Sequence, residues 1–164
     1  MGRIVAGEVF RMHELFANHW LFKGLPLDSK ELIYGKGALI ELGAGDLIIE
    51  QTEPNGVLFL VLAGELRIAH PDAPEGGSGL TIGVVGSGGL LGDYSFIDGL
   101  PASATVTAQE KSLLHGIGHD ILHGILDSDP SITVVIYRNL LEHYVARLRS
   151  VGAELESFLL LKMQ

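Results

Sequence analysis

The 164-residue chain contains no cysteine, which excludes disulfides, thiolate metal sites and a cysteine nucleophile. No stretch approaches the ~18 uninterrupted apolar residues of a membrane span, and the N-terminus lacks the basic-then-apolar order of a secretory signal. A soluble, cytoplasmic protein is therefore expected. Basic residues are scarce, with 11 Lys and Arg against 20 Asp and Glu and a formal net charge of -9. Such a balance repels phosphate backbones at long range and argues against nucleic acid as the main partner. The densest basic cluster, Arg138, Arg147 and Arg149, is interleaved with Glu142, Glu154 and Glu156, the pattern of a solvated, salt-bridged helix face.

Further absences narrow the chemistry. A jelly-roll metal enzyme needs closely spaced histidines on a strand, and the strand-like segments contain no His-x-His. His115, His119 and His123 recur every four residues, but Gly116 and Gly118 interrupt the run. His115 is expected to end a strand, leaving His119 and His123 on a short helix without a third ligand. His13, His19, His70 and His143 have no ligand-like spacing. The runs Gly76-Gly77-Ser78-Gly79 and Gly86-Ser87-Gly88-Gly89 lack the Lys-Ser/Thr of a phosphate-binding P-loop. No catalytic residue and no metal site emerge, and a non-enzymatic protein is expected.

What is present is a hydrophobic content of 47%, enough for one domain with a sizeable core. Val9, Phe10, Met12, Leu15 and Phe16, then Trp20, Leu21 and Phe22, recur at three- and four-residue steps, predicting amphipathic helical segments punctuated by Gly24 and Pro26. From Glu31 to His115 short apolar runs alternate with glycine-bearing turns: Leu32-Ile33, 38–40, 47–49, 57–62, 66–68, 80–85, 105–106 and 113–114. This texture predicts a mainly β fold, a barrel or jelly roll. Glycines in Gly43-Ala44-Gly45-Asp46 and Ala63-Gly64-Glu65 are placed for positive φ, and Pro71–Gly79 reads as an exposed hairpin loop.

Asp129 before Pro130 predicts a helix start. Beyond it Val134, Tyr137, Leu141, Tyr144, Leu148, Val151, Leu155 and Phe158 recur at steps of three and four, the mark of a helix that pairs with another helix. Such a helix of about thirty residues is long for one small domain, which favours a homodimer; the alternative is a helix wrapping its own barrel with both faces. Leu140, Val145, Leu159 and Leu160 lie off the row and are expected to face the barrel. Gly152 weakens the helix by about 1 kcal/mol relative to alanine.

The segment Gly88 to Ala108 resembles the phosphate-binding cassette of the cyclic-nucleotide-binding domain, in the catabolite-activator-like regulator superfamily. Gly92-Asp93 stands at the family's Gly-Glu, and Pro101-Ala102-Ser103-Ala104-Thr105-Val106 at its Pro-Arg-Ser/Thr/Ala-Ala-Thr-Val. Gly45-Asp46-Leu47-Ile48 and Leu58 to Leu66 match two further landmarks, so the resemblance covers most of the strand region. It implies a double-stranded β-helix (jelly-roll) barrel with N-terminal helices and a long C-terminal dimerisation helix. It divides the chain into a domain over residues 1–128 and an interface helix over 129–164. The implied ligand-binding residues are Leu91, Gly92, Asp93, Tyr94, Ser95, Ala102, Ser103 and Ala104, with Val151 and Gly152 near the position that meets the base.

Two departures bear on the ligand. Asp93 is one methylene shorter than the family's glutamate and has a competing reading as the cap of the short turn; Ser103 has one as a local hydrogen-bond partner. Ala102 occupies the place of the arginine that pairs with the cyclic phosphate. Removing one partner of such an ion pair costs about 3–5 kcal/mol, enough to turn a micromolar site into a millimolar one. The expectation is a regulatory or signal-transduction module that binds cyclic nucleotide weakly, answers another small molecule, or acts on a protein partner. A helix-turn-helix reader is not expected, since Gln164 falls where the interface helix ends. The rival readings are a structural dimerisation protein with a vestigial pocket and a metal-dependent jelly-roll enzyme.

Overall fold

The computed structural model describes residues 6–70 and 79–162, with side chains from residue 11 onward. All of the expected hairpin loop 71–79 but Gly79, part of the glycine run 76–79 and the side chains of Val9 and Phe10 lie outside the described residues. Helix α1 (Ala6–Ala17), a 3-10 turn (Trp20–Phe22) and α2 (Leu27–Lys36) precede the strands. Strands β1 (Ala38–Leu42), β2 (Leu47–Ile49), β3 (Val57–Ala63), β4 (Leu66–His70), β5 (Leu80–Val85) and β6 (Leu90–Leu91) follow. Then come α3 (Asp93–Asp98), β7 (Thr105–Ala108), β8 (Ser112–Gly118), α4 (His119–Ser128) and α5 (Pro130–Lys162).

The strands form two antiparallel four-stranded sheets, ordered β1-β8-β3-β6 and β2-β7-β4-β5. This is the expected jelly roll with flanking helices. Strand β3 shows how one run of sequence serves two cores, because successive side chains point to opposite faces. Leu58, Leu60 and Leu62 pack with Phe16, Phe22, Ile33, Leu122 and Ile136 in a layer between sheet and helices. Phe59 and Val61 face the barrel interior with Leu66, Leu91, Val106 and Leu114. A strand buried on both faces reads as a continuous apolar run, which is how Val57 to Leu62 stands in the sequence.

Leu32-Ile33, expected in an extended run, instead lie in α2. Pro26 precedes the helix with a fixed φ of -59°, Asp28 and Lys36 sit in its first and last turns, and Ile33 is buried against the core. Those charges complement the helix dipole, whereas two adjacent apolar residues do not by themselves distinguish a period of two from one of 3.6. Gly37, between α2 and β1, permits close approach: a Cβ there would lie 2.2 Å from the His115 ring. His115 sits on β8 among Phe16 and Tyr34, 4.5 and 5.0 Å between ring centres, and its Nε2 bonds the Tyr34 carbonyl at 3.0 Å. His119 and His123 are on α4, where both pack on Phe96 of α3. Among the described residues no group of three metal-ligating side chains comes together, and no helix is long and apolar enough to cross a membrane.

Helix α5 begins as its capping signal predicts: Asp129 Oδ1 accepts from the Ser131 N–H at 2.9 Å and from the Ser131 hydroxyl at 2.6 Å. Ile132, Ile136, Asn139 and Leu140 form its buried face. The Asn139 amide donates to the carbonyls of Leu21 and Lys23 at 2.8 and 2.9 Å, tying α5 to the 3-10 turn. From Val145 to Lys162 every residue is exposed. Leu140 thus faces the domain as expected, whereas Val145, Leu159 and Leu160 do not.

Candidate ligand-binding site

The cassette is a sequence of sharp reversals. Gly88 and Gly92 have φ of +82° and +76°, β6 lies between them, and Gly99 at +69° closes α3. Gly92 needs glycine twice over: its φ lies in the left-handed region, and a Cβ would come within 2.3 Å of the Val57 carbonyl oxygen. The segment after α3 is pinned through Ala102, whose N–H bonds the Glu53 carbonyl at 3.0 Å and whose carbonyl accepts from Thr52 at 2.9 Å.

Leu91, Gly92, Asp93, Tyr94, Ser95, Ala102, Ser103 and Ala104, named above from the cassette resemblance, all line one cavity of about 520 Å³. That volume lies in the usual range for small-molecule sites. Ile68, Ile82 and Val84 from the second sheet line it as well, together with His143 and Arg147 of α5. Val151 and Gly152 do not reach it: Val151 is exposed and the space around Gly152 is open. The helix enters the site one to two turns earlier than the family register implied, because Asn139 and Leu140 fix its rotation against the domain.

Asp93 does not cap α3, since Gly92 precedes that helix without a side-chain cap. Its carboxylate instead accepts from the Tyr144 hydroxyl at 2.5 Å. Burial, and then the carboxylate, hold that hydroxyl above the ordinary phenol range, so it stays a neutral donor. Tyr144 stood in the apolar row along α5; the structure turns it onto its own domain. Tyr137 also packs partly against the core, while Val134, Leu141, Leu148, Val151, Leu155 and Phe158 are exposed.

Residues missed in the sequence brace the site from the N-terminal side. The Trp20 indole donates to the Gly88 carbonyl at 2.9 Å and stacks on His143, rings 4.2 Å apart and 7° from parallel. His19 Nδ1 accepts from the Leu21 N–H at 3.2 Å, which leaves Nε2 as the protonated nitrogen facing the Gly89 carbonyl at 3.4 Å. Burial lowers the pKa of His19 to about 4. No spacing in the sequence signals these partners, which lie 68 to 123 residues apart.

Comparison with known proteins agrees with this geometry. A potassium channel of Rhizobium etli described as cyclic nucleotide-gated is 31% identical over 147 residues, covering 82% of this chain and 38% of the channel. The crystal structure of Thermus thermophilus catabolite activator protein superposes with a TM-score of 0.69 at 25% identity, over 84% of this chain and 62% of that one. A cyclic nucleotide-binding domain from Methylobacillus flagellatus gives 0.73 at 25% identity, over 86% and 78%. The chain thus spans well under half the length of the channel it matches. Residues 39–129, more than half of the chain, match the family described as cyclic nucleotide-binding domain, and with the jelly roll and its cassette-lined cavity this places the chain in that family.

Proposed function

We propose that the chain is a non-enzymatic regulatory module whose cavity takes a small ligand of the cyclic-nucleotide type and reports its occupancy through α5. The observation that carries this reading is the Tyr144–Asp93 hydrogen bond. It ties the cassette's first helical residue to the helix that leaves the domain. A ligand hydroxyl directed at Asp93 meets that tyrosine, so filling the cavity changes what holds α5.

The cassette itself offers no guanidinium, and cyclic AMP is accordingly held more weakly than by an arginine-bearing cassette. The exposed stretch of α5 extends about 27 Å, at 1.5 Å per residue, and displays Leu148, Val151, Leu155 and Phe158 to solvent. We assign this face to a second copy of the chain, with the domain over 1–128 and the interface helix over 129–164. The same apolar face supports the second reading, a dimerisation element whose pocket is vestigial.

The single tryptophan, seated between the Gly88 loop and His143, is a built-in reporter. Titration with cyclic AMP is expected to change Trp20 fluorescence saturably in the high-micromolar to millimolar range. No change with cyclic AMP or cyclic GMP, and no thermal stabilisation by either, would leave the vestigial reading standing instead.

A further inference from the structure

Arg147 is, among the described residues lining the cavity, the sole permanent positive charge. It lies one turn beyond His143 and three residues beyond Tyr144, so the three share a helix face. His143 is fixed by its stack on Trp20, and Tyr144 by Asp93. With both neighbours held, the same face brings Arg147 into the lining of the cavity. Its guanidinium is near enough to the Tyr144 hydroxyl for its charge to favour ionisation there, against the larger effects of burial and Asp93.

The cassette side of the lining explains why this matters. Ala102, where the resemblance places an anion-pairing arginine, contributes only a methyl group, with Ala104 and Val106 beside it. A ligand anion entering here finds no cation on the cassette side. Asp93 repels it from the Gly92 end and instead favours hydroxyl donors there. The cavity therefore offers an acceptor at the base of α3 and a cation on α5.

We propose that Arg147 is the anion-pairing residue of this pocket, so that a ligand carrying both hydroxyls and a phosphate ester is held with its anion against α5 instead of the cassette. This rests on the small-ligand reading above. It also makes affinity depend on the position of α5, because the helix carries the charge. Arg147 is exposed, which keeps the pairing weaker and more salt-sensitive than a buried arginine provides.

The test compares cyclic AMP with adenosine, which shares the ribose and base but lacks the phosphate, by Trp20 fluorescence across a salt series. For the wild type, cyclic AMP affinity is expected to fall with added salt while adenosine affinity does not. Arg147→Gln is expected to weaken cyclic AMP binding roughly twofold to fivefold and to remove the salt dependence, with Arg147→Lys retaining part of both. In the double variant Ala102→Arg/Arg147→Gln, affinity for cyclic AMP returns. If Arg147→Gln leaves cyclic AMP affinity and its salt dependence unchanged, or weakens both ligands equally, the assignment of Arg147 is wrong while the small-ligand reading survives. If the wild type responds to neither probe, that reading fails and this one with it.

Discussion

The Tyr144 hydroxyl on α5 and the Asp93 carboxylate at the start of α3 are joined by a 2.5 Å hydrogen bond across 51 residues of sequence. This one contact joins the cassette to the helix, and it engages the acceptor that a ligand hydroxyl would need. On the proposed reading, a ligand hydroxyl and the tyrosine compete for that carboxylate.

Tyr144→Phe tests that competition. Loss of a partly buried bond to a charged acceptor is expected to lower stability by about 1–2 kcal/mol, read from the urea midpoint. Affinity for adenosine is expected to rise, since Asp93 becomes free. Asp93→Asn is expected to weaken it. Equal affinities in all three proteins would show that the carboxylate does not meet the ligand.

Ala102→Arg restores the cassette cation. Cyclic AMP affinity is expected to increase by at least tenfold, the equivalent of about 1.4 kcal/mol, measured by calorimetry. Ala102 is buried, so the arginine must extend into the cavity for the variant to keep its fold, which circular dichroism checks. A folded variant with unaltered affinity would mean that the pocket has lost more than one residue.

Leu148→Lys probes the outward face of α5. Leu148 is 70% exposed, so the substitution leaves the domain's own core intact. Sedimentation is expected to show a dimer for the wild type and a monomer for the variant. The same mass for both would remove the interface proposed for this helix.

Acid stability follows from the buried histidines. His19 falls from its ordinary 6.5 to about 4 through burial, and His115 and His119 are lowered in the same direction for the same first reason. Each folded-state pKa is below the unfolded one, so the unfolded chain takes up protons first as pH falls. The stabilisation is complete above about pH 6.5 and is lost towards pH 4, with His19 alone accounting for up to about 3 kcal/mol. Urea midpoints at pH 7.5 and 5 should differ accordingly; identical midpoints would contradict the neutral, buried histidines.

Two glycines should respond in opposite senses. Gly92→Ala is expected to destabilise by about 2 kcal/mol or more, since a left-handed backbone and a close carbonyl both oppose a methyl group. Gly152→Ala, in open space on a helix, is expected to stabilise by up to about 1 kcal/mol. Thermal melts of the pair compare strain at the cassette with simple helix propensity.

The legible parts of this protein were those written in local pattern. Apolar runs broken by Gly45 and Gly64 marked strands and tight turns, because side-chain alternation and positive φ are properties of neighbouring residues. Asp129-Pro130 marked the start of α5 for the same reason. The run from Gly88 to Ala108 carried its cassette contiguously, and its eight candidate residues converge on one cavity. Leu32-Ile33 misled because two residues hold no period, and the helix there is set by its flanks and by burial of Ile33.

By itself, then, the sequence determined the jelly-roll class, the cassette's shape and the absence of an arginine from it. Only the tertiary structure decided which residues of α5 meet the pocket. Periodicity along a helix shows which residues share a face but not which way that face turns. Here Asn139, bonded to the carbonyls of Leu21 and Lys23, and the buried Leu140 set the rotation, bringing Tyr144 to Asp93 and Arg147 into the cavity lining. Those partners lie far apart in the chain, and only packing, which adds energies from distant segments at one place, brings them together.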